Sequence, residues 1–410
     1  MQYQIAVSSR SIQEVIQLPA SKSISNRLLI IRALSGSSGE LINLADSDDT
    51  RLMLEALESD SAGKNTGHAG TAMRFLTAYY SALSCQVTLT GSERMKQRPI
   101  GELVGALRSL GAQIQYLENE GYPPLSISGG KMKGGEVTVN GAISSQFISA
   151  LLMIGPVLPG GLTLRLEGEV VSGSYIRMTL ALMEKFGARV EWTADRIRIG
   201  EGAYRMYPYT VESDWSAAAF WYSIMLLSGD SQIALPFLYA GSLQGDSVLA
   251  EMFKPLGIET AFGPEGVILS KTGEEFPEVF TFDFTECPDL VQAVAAALCA
   301  KGIRFHFTGT RTLRIKETDR IFALQEELGK LGFLLVSNKE GSFLSWEGDR
   351  LPAVNTPVIG TYHDHRMAMA FAPLSLVIPK IIIDDPMVVT KSYPGFWSDL
   401  MKAGFRILEV

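Results

Sequence analysis

The feature that most limits the fold of this chain is a signal for the end of a helix that recurs along its length. An apolar residue, a glycine and the start of a strand-like run follow one another five times, at Gly111, Gly187, Gly257, Gly332 and Gly404. Glycine accepts the left-handed backbone conformation in which helices commonly end. The spacings of 76, 70, 75 and 72 residues predict one supersecondary unit copied in series, which is too long for a solenoid repeat.

A sixth and shorter unit is expected before these five. Its helix is predicted in DTRLMLEALES, where Leu57 lies only 54 residues before Gly111. A strand or two of the other copies should therefore be missing between Asp60 and Thr66. Runs such as LTLRLEG alternate with helical runs such as LVQAVAAALCAKG, which is typical of an α/β protein built from α+β repeats. Six units in two halves give three units per domain.

Length and composition bear on domain number and compartment. One core rarely serves 410 residues, so we expect two domains. The net charge of −8 disfavours a nucleic-acid partner, and no apolar stretch is long enough to predict a membrane span. Three cysteines without metal-ligand spacing fit a reducing compartment and no zinc site. With no apolar signal core at the N-terminus, we expect a cytoplasmic protein.

Polar residues gather at three predicted helix starts in the first half of the chain. In LPASKSISNR an ammonium group, hydroxyls and a guanidinium meet free backbone N–H groups. The glycines of GHAGTAMR let a ligand approach the backbone, and AISSQF adds hydroxyls and an amide. One such start is usually only a capped helix, but three together predict an anion site.

Carboxylates and bases mark three further helix starts in the second half, within CPDLVQ, RIKETDRIF and TYHDHRMAM. Lysine and arginine in a first turn oppose the helix dipole, so Lys316, Arg320 and Arg366 need an anion to offset their charge. Arg98 and Lys391 lie beside turn-forming prolines and add two cations. A guanidinium suits a carboxylate or a phosphate.

These segments, taken in order, resemble the 5-enolpyruvylshikimate-3-phosphate synthase family. The likeness runs from LPASKSISNR through GHAGTAMR, RMKQRPIGEL, SSQF, SYIRMTLALM, CPD, RIKETDR and DHRMAMAF to KSYPGFW. It implies two domains, each of three βαβαββ units around a pseudo-threefold axis, with the active site in the interdomain cleft. The expected N-terminal domain is 21–212, and the C-terminal domain is 1–20 with 213–410.

The resemblance implies a transferase of the shikimate pathway to chorismate and the aromatic amino acids. It would move the enolpyruvyl group of phosphoenolpyruvate to the 5-hydroxyl of shikimate 3-phosphate and release phosphate. The implied enzyme is a monomer without metal or other cofactor, since its arginines and lysines can neutralise the substrate anions.

The resemblance also carries site residues to this chain. Shikimate 3-phosphate would be bound by Lys22, Ser23, Arg27, Ser144, Ser145, Gln146, Ser172, Tyr175, Asp289 and Lys316. Phosphoenolpyruvate would be surrounded by Lys22, Gly70, Arg98, Gln146, Glu317, Arg320, Arg366 and Lys391. The expected catalytic residues are Asp289, which would hold and deprotonate the hydroxyl, and Glu317 and Lys22, which would exchange protons with the methylene carbon. His365 has two open roles, orienting Glu317 or the phosphate, or serving the structure alone.

Two positions depart from the family pattern. His68 stands where the family usually has asparagine, and we expect its bulkier ring to push the turn before Gly70 inward. Thr312 takes a place often held by a substrate-contacting asparagine, so we leave it outside the site.

Two other functions stay open. The related transferase that acts on UDP-N-acetylglucosamine bears a reactive cysteine before its Arg-Pro pair, whereas GSERMKQRP has none and Cys85 lies in a predicted strand. The second alternative is a phosphometabolite-binding protein without catalysis. Such a protein has no reason to keep Asp289 and Glu317 together.

Overall fold

The computed structural model describes residues 1–130, 132–142, 144–273 and 275–410. The chain divides into two units, which we name the N-terminal unit (Ala20–Val211) and the C-terminal unit (Met1–Pro19 with Glu212–Val410). The chain therefore passes between the units twice. Among the residues that the structure describes, no helix has the length and apolar character that crossing a membrane requires.

The first two strands belong to the C-terminal unit and are β1 (Gln2–Val7) and β2 (Gln13–Val15). The first repeat of the N-terminal unit contains α1 (Lys22–Ser35), β3 (Leu41–Ile42) and α2 (Asp48–Glu58). The second repeat contains β4 (Gly63–Asn65), α3 (Gly70–Ala82), β5 (Gln86–Thr90), α4 (Gly101–Ser109), β6 (Gln113–Tyr116) and β7 (Leu125–Ser128). The third contains β8 (Gly135–Asn140), α5 (Ser145–Ile154), β9 (Leu162–Glu167), α6 (Gly173–Lys185), β10 (Val190–Thr193) and β11 (Arg196–Ile199), and is followed by β12 (Tyr209–Thr210).

The C-terminal unit continues with the fourth repeat, which contains α7 (Trp215–Leu227), β13 (Gln232–Pro236), α8 (Leu249–Met252), β14 (Ile258–Gly263) and β15 (Gly266–Lys271). The fifth contains β16 (Val279–Asp283), α9 (Val291–Lys301), β17 (Arg304–Thr308), α10 (Arg320–Lys330), β18 (Val336–Ser337) and β19 (Phe343–Trp346). The sixth contains β20 (Val358–Ile359), α11 (His365–Phe371), β21 (Ile381–Asp384), α12 (Phe396–Lys402) and β22 (Phe405–Glu409).

The complete repeats share one sheet topology. Across the described residues, five four-stranded sheets have the orders β4-β5-β7-β6, β8-β9-β11-β10, β2-β13-β15-β14, β16-β17-β19-β18 and β20-β21-β1-β22. The first two strands of each sheet are parallel, and parallel neighbours need a crossover connection, usually a helix. This is the βαβαββ arrangement that the resemblance implies, with β1 and β2 completing the sheets of the sixth and fourth repeats.

The first repeat lacks part of this sheet. Within the described residues β3 pairs only with β12, which takes the place of a first strand. Residues 59–62 alone separate α2 from β4, the first strand of the next repeat. The prediction that strands are missing after α2 is confirmed.

The first helix of each repeat packs at the centre of its unit. Every residue of α7 except Ser216 is buried, as expected for a helix that is apolar on all sides. The helices α7, α9 and α11 contact one another in the C-terminal unit, as α1, α3 and α5 do in the N-terminal unit. The polar helix starts of the sequence lie at or just before the first residues of these central helices and of α10.

The repeat glycines end helices as predicted. Their φ angles are 97°, 93°, 73°, 90° and 88° from Gly111 to Gly404. After Gly187, the N–H of Ala188 donates to the carbonyl of Met183, 2.9 Å away, the bond that closes a helix with a left-handed residue.

Gly187→Ala should lower the free energy of unfolding by roughly 1–2 kcal/mol. An added Cβ at Gly187 would meet no atom closer than 3.9 Å, so the cost comes from the backbone conformation. Gly105→Ala is the control, because Gly105 lies in the middle of α4 with open space around it. That change should stabilise the same unit by about 0.5–1 kcal/mol. Denaturant unfolding followed by circular dichroism measures both, and equal effects would contradict the left-handed helix end.

Candidate active site

One guanidinium joins three carboxylates in the C-terminal unit. Arg320, the first residue of α10, donates from Nε to Asp364 (2.7 Å), from Nη1 to Asp289 (2.8 Å) and from Nη2 to Glu317 (2.9 Å). Its side chain is 2% exposed and that of Asp364 is fully buried. Since Asp289 precedes α9 and Asp364 caps α11, this contact gathers the starts of three helices at one point.

Asp289 is surrounded by positive charge. Arg366 donates to its Oδ2 (3.0 Å), and the ammonium of Lys316 lies 3.7 Å from its Oδ1. Burial alone would raise the pKa of Asp289, but the charges of Arg366, Lys316 and Arg320 outweigh it and hold that pKa well below its usual range. Asp289 is therefore ionised at neutral pH and acts as a hydrogen-bond acceptor.

Glu317 links the same cluster to the sixth repeat. Its Oε1 lies 3.0 Å from the ammonium of Lys391, whose side chain is 6% exposed. Its other oxygen accepts from Arg320. The structure thus brings together the six residues predicted for the second half of the chain, which are Asp289, Lys316, Glu317, Arg320, Arg366 and Lys391.

The cluster corrects the electrostatic argument made from the sequence. Arg320 and Arg366 do lie in the first turns of α10 and α11, but Lys316 precedes α10 and follows the 3₁₀ helix Arg311–Ile315. The anions that offset these cations are carboxylates of the chain itself. An anionic ligand would have to compete with these carboxylates for Arg366 and Lys391.

Asp246 adds a titratable carboxyl close to this cluster. It is buried in the fourth repeat and accepts a hydrogen bond from the hydroxyl of Ser216. Burial first, and then the negative charge of Asp289, raise the pKa of Asp246 to about 7, against the opposing effects of Arg366 and Ser216. A carboxyl that titrates near neutral pH beside other ionisable groups is typical of a functional site.

The N-terminal unit holds a buried cation with neutral partners. Arg27 donates from Nε to the hydroxyl of Thr179 (2.7 Å) and from Nη2 to that of Ser149 (3.2 Å), and also to the carbonyls of Ser23 and Tyr175. No carboxylate pairs with it in the described part of the chain. Burial lowers the pKa of Arg27 to about 10. A buried charge without a counterion is costly, so this site favours an anion.

Lys22 begins α1, one turn before Arg27. Its ammonium lies 3.2 Å from a carboxylate oxygen of Asp49, at the start of α2. Ser23 is half-buried beside it. The first repeat therefore keeps its paired helix starts although it lacks two strands.

Gly70 and Arg98 lie against each other in the second repeat. A Cβ placed on Gly70 would be 2.5 Å from Nη1 of Arg98, so the guanidinium can lie there only because residue 70 has no side chain. α3 begins without a side-chain cap, which leaves backbone N–H groups of its first turn free of a capping side chain. From the third repeat, Gln146 donates through Nε2 to the hydroxyl of Thr71 (3.1 Å), so the starts of α3 and α5 meet.

The remaining predicted residues lie at the starts of α5 and α6. The hydroxyl of Ser144 accepts from the N–H of Gln146 (3.3 Å), which is the ordinary capping role, and Ser145 is half-buried next to it. Ser172 precedes α6 in a left-handed conformation, with φ of 57°. The ring of Tyr175 lies 5.9 Å from the guanidinium of Arg27.

The expectation for His68 stays a prediction. The residue lies exposed in the turn before Gly70. The backbone of that turn is hydrogen-bonded to its neighbours, since Ala69 donates to the carbonyl of Thr66 and Ser92 donates to that of Gly67.

With these two clusters described, comparison with known proteins decides the family. The model of the EPSP synthase (3-phosphoshikimate 1-carboxyvinyltransferase) family matches residues 7–60 and 57–400. A protein of Bacteroides fragilis strain YCH46 named 3-phosphoshikimate 1-carboxyvinyltransferase is 52% identical over 408 residues, covering 99% of each chain. The chain belongs to the EPSP synthase family. The resemblance inferred from the sequence motifs is confirmed.

Other EPSP synthases agree with this assignment. A relative of the same name from Sodalis glossinidius is 37% identical and covers 94% of this chain and 93% of its own. A solved structure of EPSP synthase from Acinetobacter baumannii covers both chains fully with a TM-score of 0.78 at 22% identity. At that identity the likeness supports the fold alone.

Several side chains that hold these two clusters were not predicted. Asp49, Thr179 and Asp246 contact or surround predicted residues from distant segments, and no local pattern links them to their partners. The sequence predicts no contact for Asp364 in TYHDHR, and it leaves His365 with two open roles, orienting Glu317 or the phosphate, or serving the structure alone. His365 is buried, with Nδ1 3.7 Å from the carboxylate of Asp364, so its neighbour in the site is the residue that holds Arg320.

Asp364→Asn should lower the free energy of unfolding by about 3 kcal/mol, because it removes one partner of a buried ion pair while the amide oxygen can still cap α11. Asp319→Asn is the matched control. Asp319 caps α10 and pairs with Arg314 at 2.7 Å, but their side chains are 35% and 25% exposed, so its loss should be less than about 1 kcal/mol. Denaturant unfolding compares the two, and equal losses would argue against the buried pair as the anchor.

Proposed function

We propose that this chain transfers the enolpyruvyl group of phosphoenolpyruvate to the 5-hydroxyl of shikimate 3-phosphate and releases phosphate, the activity expected of an EPSP synthase. The observation that carries the proposal is the Arg320 contact, which holds Asp289 and Glu317 on one guanidinium. Two carboxylates between lysines and arginines suit a reaction that moves protons beside bound anions.

We assign phosphoenolpyruvate to cations that can leave their present partners. Arg366 and Lys391 pair with Asp289 and Glu317, and the carboxylate and phosphate of the substrate would compete for them. Gly70, Arg98 and Gln146 complete its proposed contacts, with Lys22. A guanidinium over a glycine, beside an uncapped helix start, suits a phosphate group.

We assign shikimate 3-phosphate mainly to the N-terminal unit. Arg27 is a buried cation with no carboxylate partner among the described residues. Lys22 and Ser23 lie on its helix, and Ser144, Ser145, Ser172 and Tyr175 lie at the starts of α5 and α6, which pack against it. The proposed contacts of the C-terminal unit are Asp289 and Lys316. Asp289 would accept the hydrogen bond of the 5-hydroxyl.

Binding of phosphoenolpyruvate would also prepare the proton transfers. If its anionic groups draw Arg366 away, Asp289 loses the largest charge that lowers its pKa. The carboxylate then becomes a stronger base for the hydroxyl proton. Withdrawal of Lys391 would remove one cation from Glu317, whose other oxygen accepts from Arg320, and Glu317 is the proposed partner for proton exchange with C3.

The reaction balances in two steps. In the first, the hydroxyl oxygen bonds to C2 of phosphoenolpyruvate, its proton passes to Asp289, and C3 takes a proton from Glu317 or Lys22 to form a tetrahedral intermediate. In the second, the bond from C2 to the phosphate oxygen breaks, C3 returns its proton to the group that supplied it, and the proton on Asp289 leaves with the phosphate, which gives the enol ether and free phosphate. One acid and one base therefore serve both steps.

We further propose that the protein acts as a monomer in the cytoplasm. The acidic surface charge and three free cysteines, of which Cys287 and Cys299 are buried, support a reducing compartment. We also propose that each unit is a functional domain, with boundaries near residues 20 and 212.

The alternatives are less well supported. Cys85 lies in the N-terminal unit with its thiol directed to the carbonyl of Tyr80, and burial raises its pKa, which is unlike a reactive cysteine. A binding protein without catalysis would need no shared contact between Asp289 and Glu317.

Phosphate release should require both substrates and should persist with a metal chelator.

Glu317→Gln should lower kcat about 100-fold or more while substrate binding persists, because the amide cannot exchange the proton. Glu278→Gln, an exposed carboxylate paired with Arg304, is the control and should retain full activity. Near-normal turnover of Glu317→Gln would contradict the assignment, and phosphate release without shikimate 3-phosphate would contradict the reaction.

Two identical substitutions within the N-terminal unit test the substrate assignments. Arg27→Lys should raise the KM for shikimate 3-phosphate about 10-fold and leave that for phosphoenolpyruvate within about 3-fold. Arg98→Lys should raise the KM for phosphoenolpyruvate about 10-fold and leave that for shikimate 3-phosphate within about 3-fold. In both variants the reason is that an ammonium cannot reproduce the planar, forked contact of a guanidinium. Steady-state kinetics with each substrate varied in turn separates the two, and a reversed pattern would exchange the assignments.

A further inference from the structure

A strained turn lies directly before the residues that anchor Arg320. Tyr362 and His363 have φ angles of 54° and 56°, and the N–H of Asp364 donates to the carbonyl of Thr361 at 2.8 Å. These features define a four-residue turn with two central residues in the left-handed region, where asparagine and glycine are favoured. Tyrosine and histidine at these positions cost free energy, and such strain persists only where other contacts hold it.

The turn determines where Asp364 and α11 begin. Asp364 accepts from Nε of Arg320 and from the N–H of Arg366 (2.9 Å). Arg366 in turn reaches both the carbonyl and the carboxylate of Asp289. A relaxed turn would shift Asp364 and, with it, the guanidinium of Arg366.

Glu327 holds this turn from α10. Its carboxylate is buried and accepts from the hydroxyl of Tyr362 (2.7 Å), the N–H of Gly360 (3.0 Å) and the ammonium of Lys330 (2.6 Å). Burial and the hydrogen bond to Glu327 raise the pKa of Tyr362, so the phenol keeps its proton and donates it. A Cβ on Gly360 would lie 3.2 Å from Oε1 of Glu327, which is tighter than ordinary contact.

The same helix therefore holds the loop at two points. Arg320, at the start of α10, binds Asp364, and Glu327, two turns later, binds the segment 360–362. Lys330 is a partner of Glu327 within α10 itself, one turn further on. The Glu327–Lys330 pair lies within one helix, so it does not explain why Glu327 also accepts from Gly360 and Tyr362.

We propose that Glu327 is a positioning residue for the transfer reaction. By accepting from Tyr362 and Gly360 it keeps the left-handed turn formed, and the turn places Arg366 for phosphoenolpyruvate. The inference rests on the proposed role of Arg366 in binding that substrate. Glu327 is buried against the turn and would act through Arg366, so its effect should appear in substrate binding before it appears in the chemical step.

Tyr362→Phe and Glu327→Gln are the test variants. Tyr362→Phe removes one hydrogen bond and should raise the KM for phosphoenolpyruvate about 3 to 10-fold, while Glu327→Gln should raise it about 10-fold or more. The KM for shikimate 3-phosphate should stay within about 2-fold in both. Adding His363→Gly to either variant should restore most of the lost affinity, because glycine adopts the left-handed conformation without strain. His363→Gly alone should leave both KM values unchanged.

Tyr222→Phe is the matched structural control. Its hydroxyl bonds Thr260 at 2.8 Å in the fourth repeat, so its loss should lower the melting temperature without a change in either KM. If Tyr362→Phe behaves like this control, Glu327 has only a structural role and the proposal is overturned. Failure of His363→Gly to rescue would overturn it as well. Should Glu327→Gln not fold, Tyr362→Phe with its rescue decides alone.

Arg366→Lys, measured in parallel, separates this inference from the proposed function. An unchanged KM for phosphoenolpyruvate in Arg366→Lys would overturn the assigned role of Arg366, and the inference with it. A raised KM there, together with an unchanged KM in Tyr362→Phe, would overturn the inference alone.

Discussion

The buried guanidinium of Arg320 is the contact on which the C-terminal unit depends. It binds Asp289, Glu317 and Asp364, which come from three different helix starts. A buried cation of this kind is stable only with well-aligned acceptors, so each carboxylate is confined to one position. The positions of the neighbouring lysines and arginines follow from those carboxylates.

The two units handle charge in opposite ways. The cations of the C-terminal unit are neutralised by their own carboxylates, so an anionic ligand must displace an existing partner. Among the described residues, Arg27 in the N-terminal unit contacts neutral acceptors and no carboxylate, so an anionic ligand there would supply a counterion. In the C-terminal unit, an anion that displaces Asp289 from Arg366 would raise the pKa of that carboxyl, so ligand binding and protonation are coupled. In the N-terminal unit, an anion that neutralises Arg27 would gain affinity without such coupling.

Much of the fold could be predicted from local signals. The five glycines, the truncated first repeat and the polar helix starts each depend on neighbouring residues, and all are found in the structure. The pairing of Glu327 with Gly360 and of Lys22 with Asp49 depends on tertiary approach, which no sequence pattern shows. The source of the counter-charge for Arg320 and Arg366 could not be predicted from the sequence either, because Asp289 and Asp364 lie far along the chain from Arg320, as does Asp289 from Arg366.

The strands of the N-terminal segment have a consequence for folding. β1 pairs with β21 and β22, so Gln2 lies opposite Asp384, whereas residues 20–211 form their unit from one continuous stretch. During synthesis that stretch can fold early, but the sheets of the fourth and sixth repeats must wait for partners made much later. Until then β1 and β2 have unpaired backbone groups. The sheet of the sixth repeat can therefore be completed only after β21 and β22 have been synthesised.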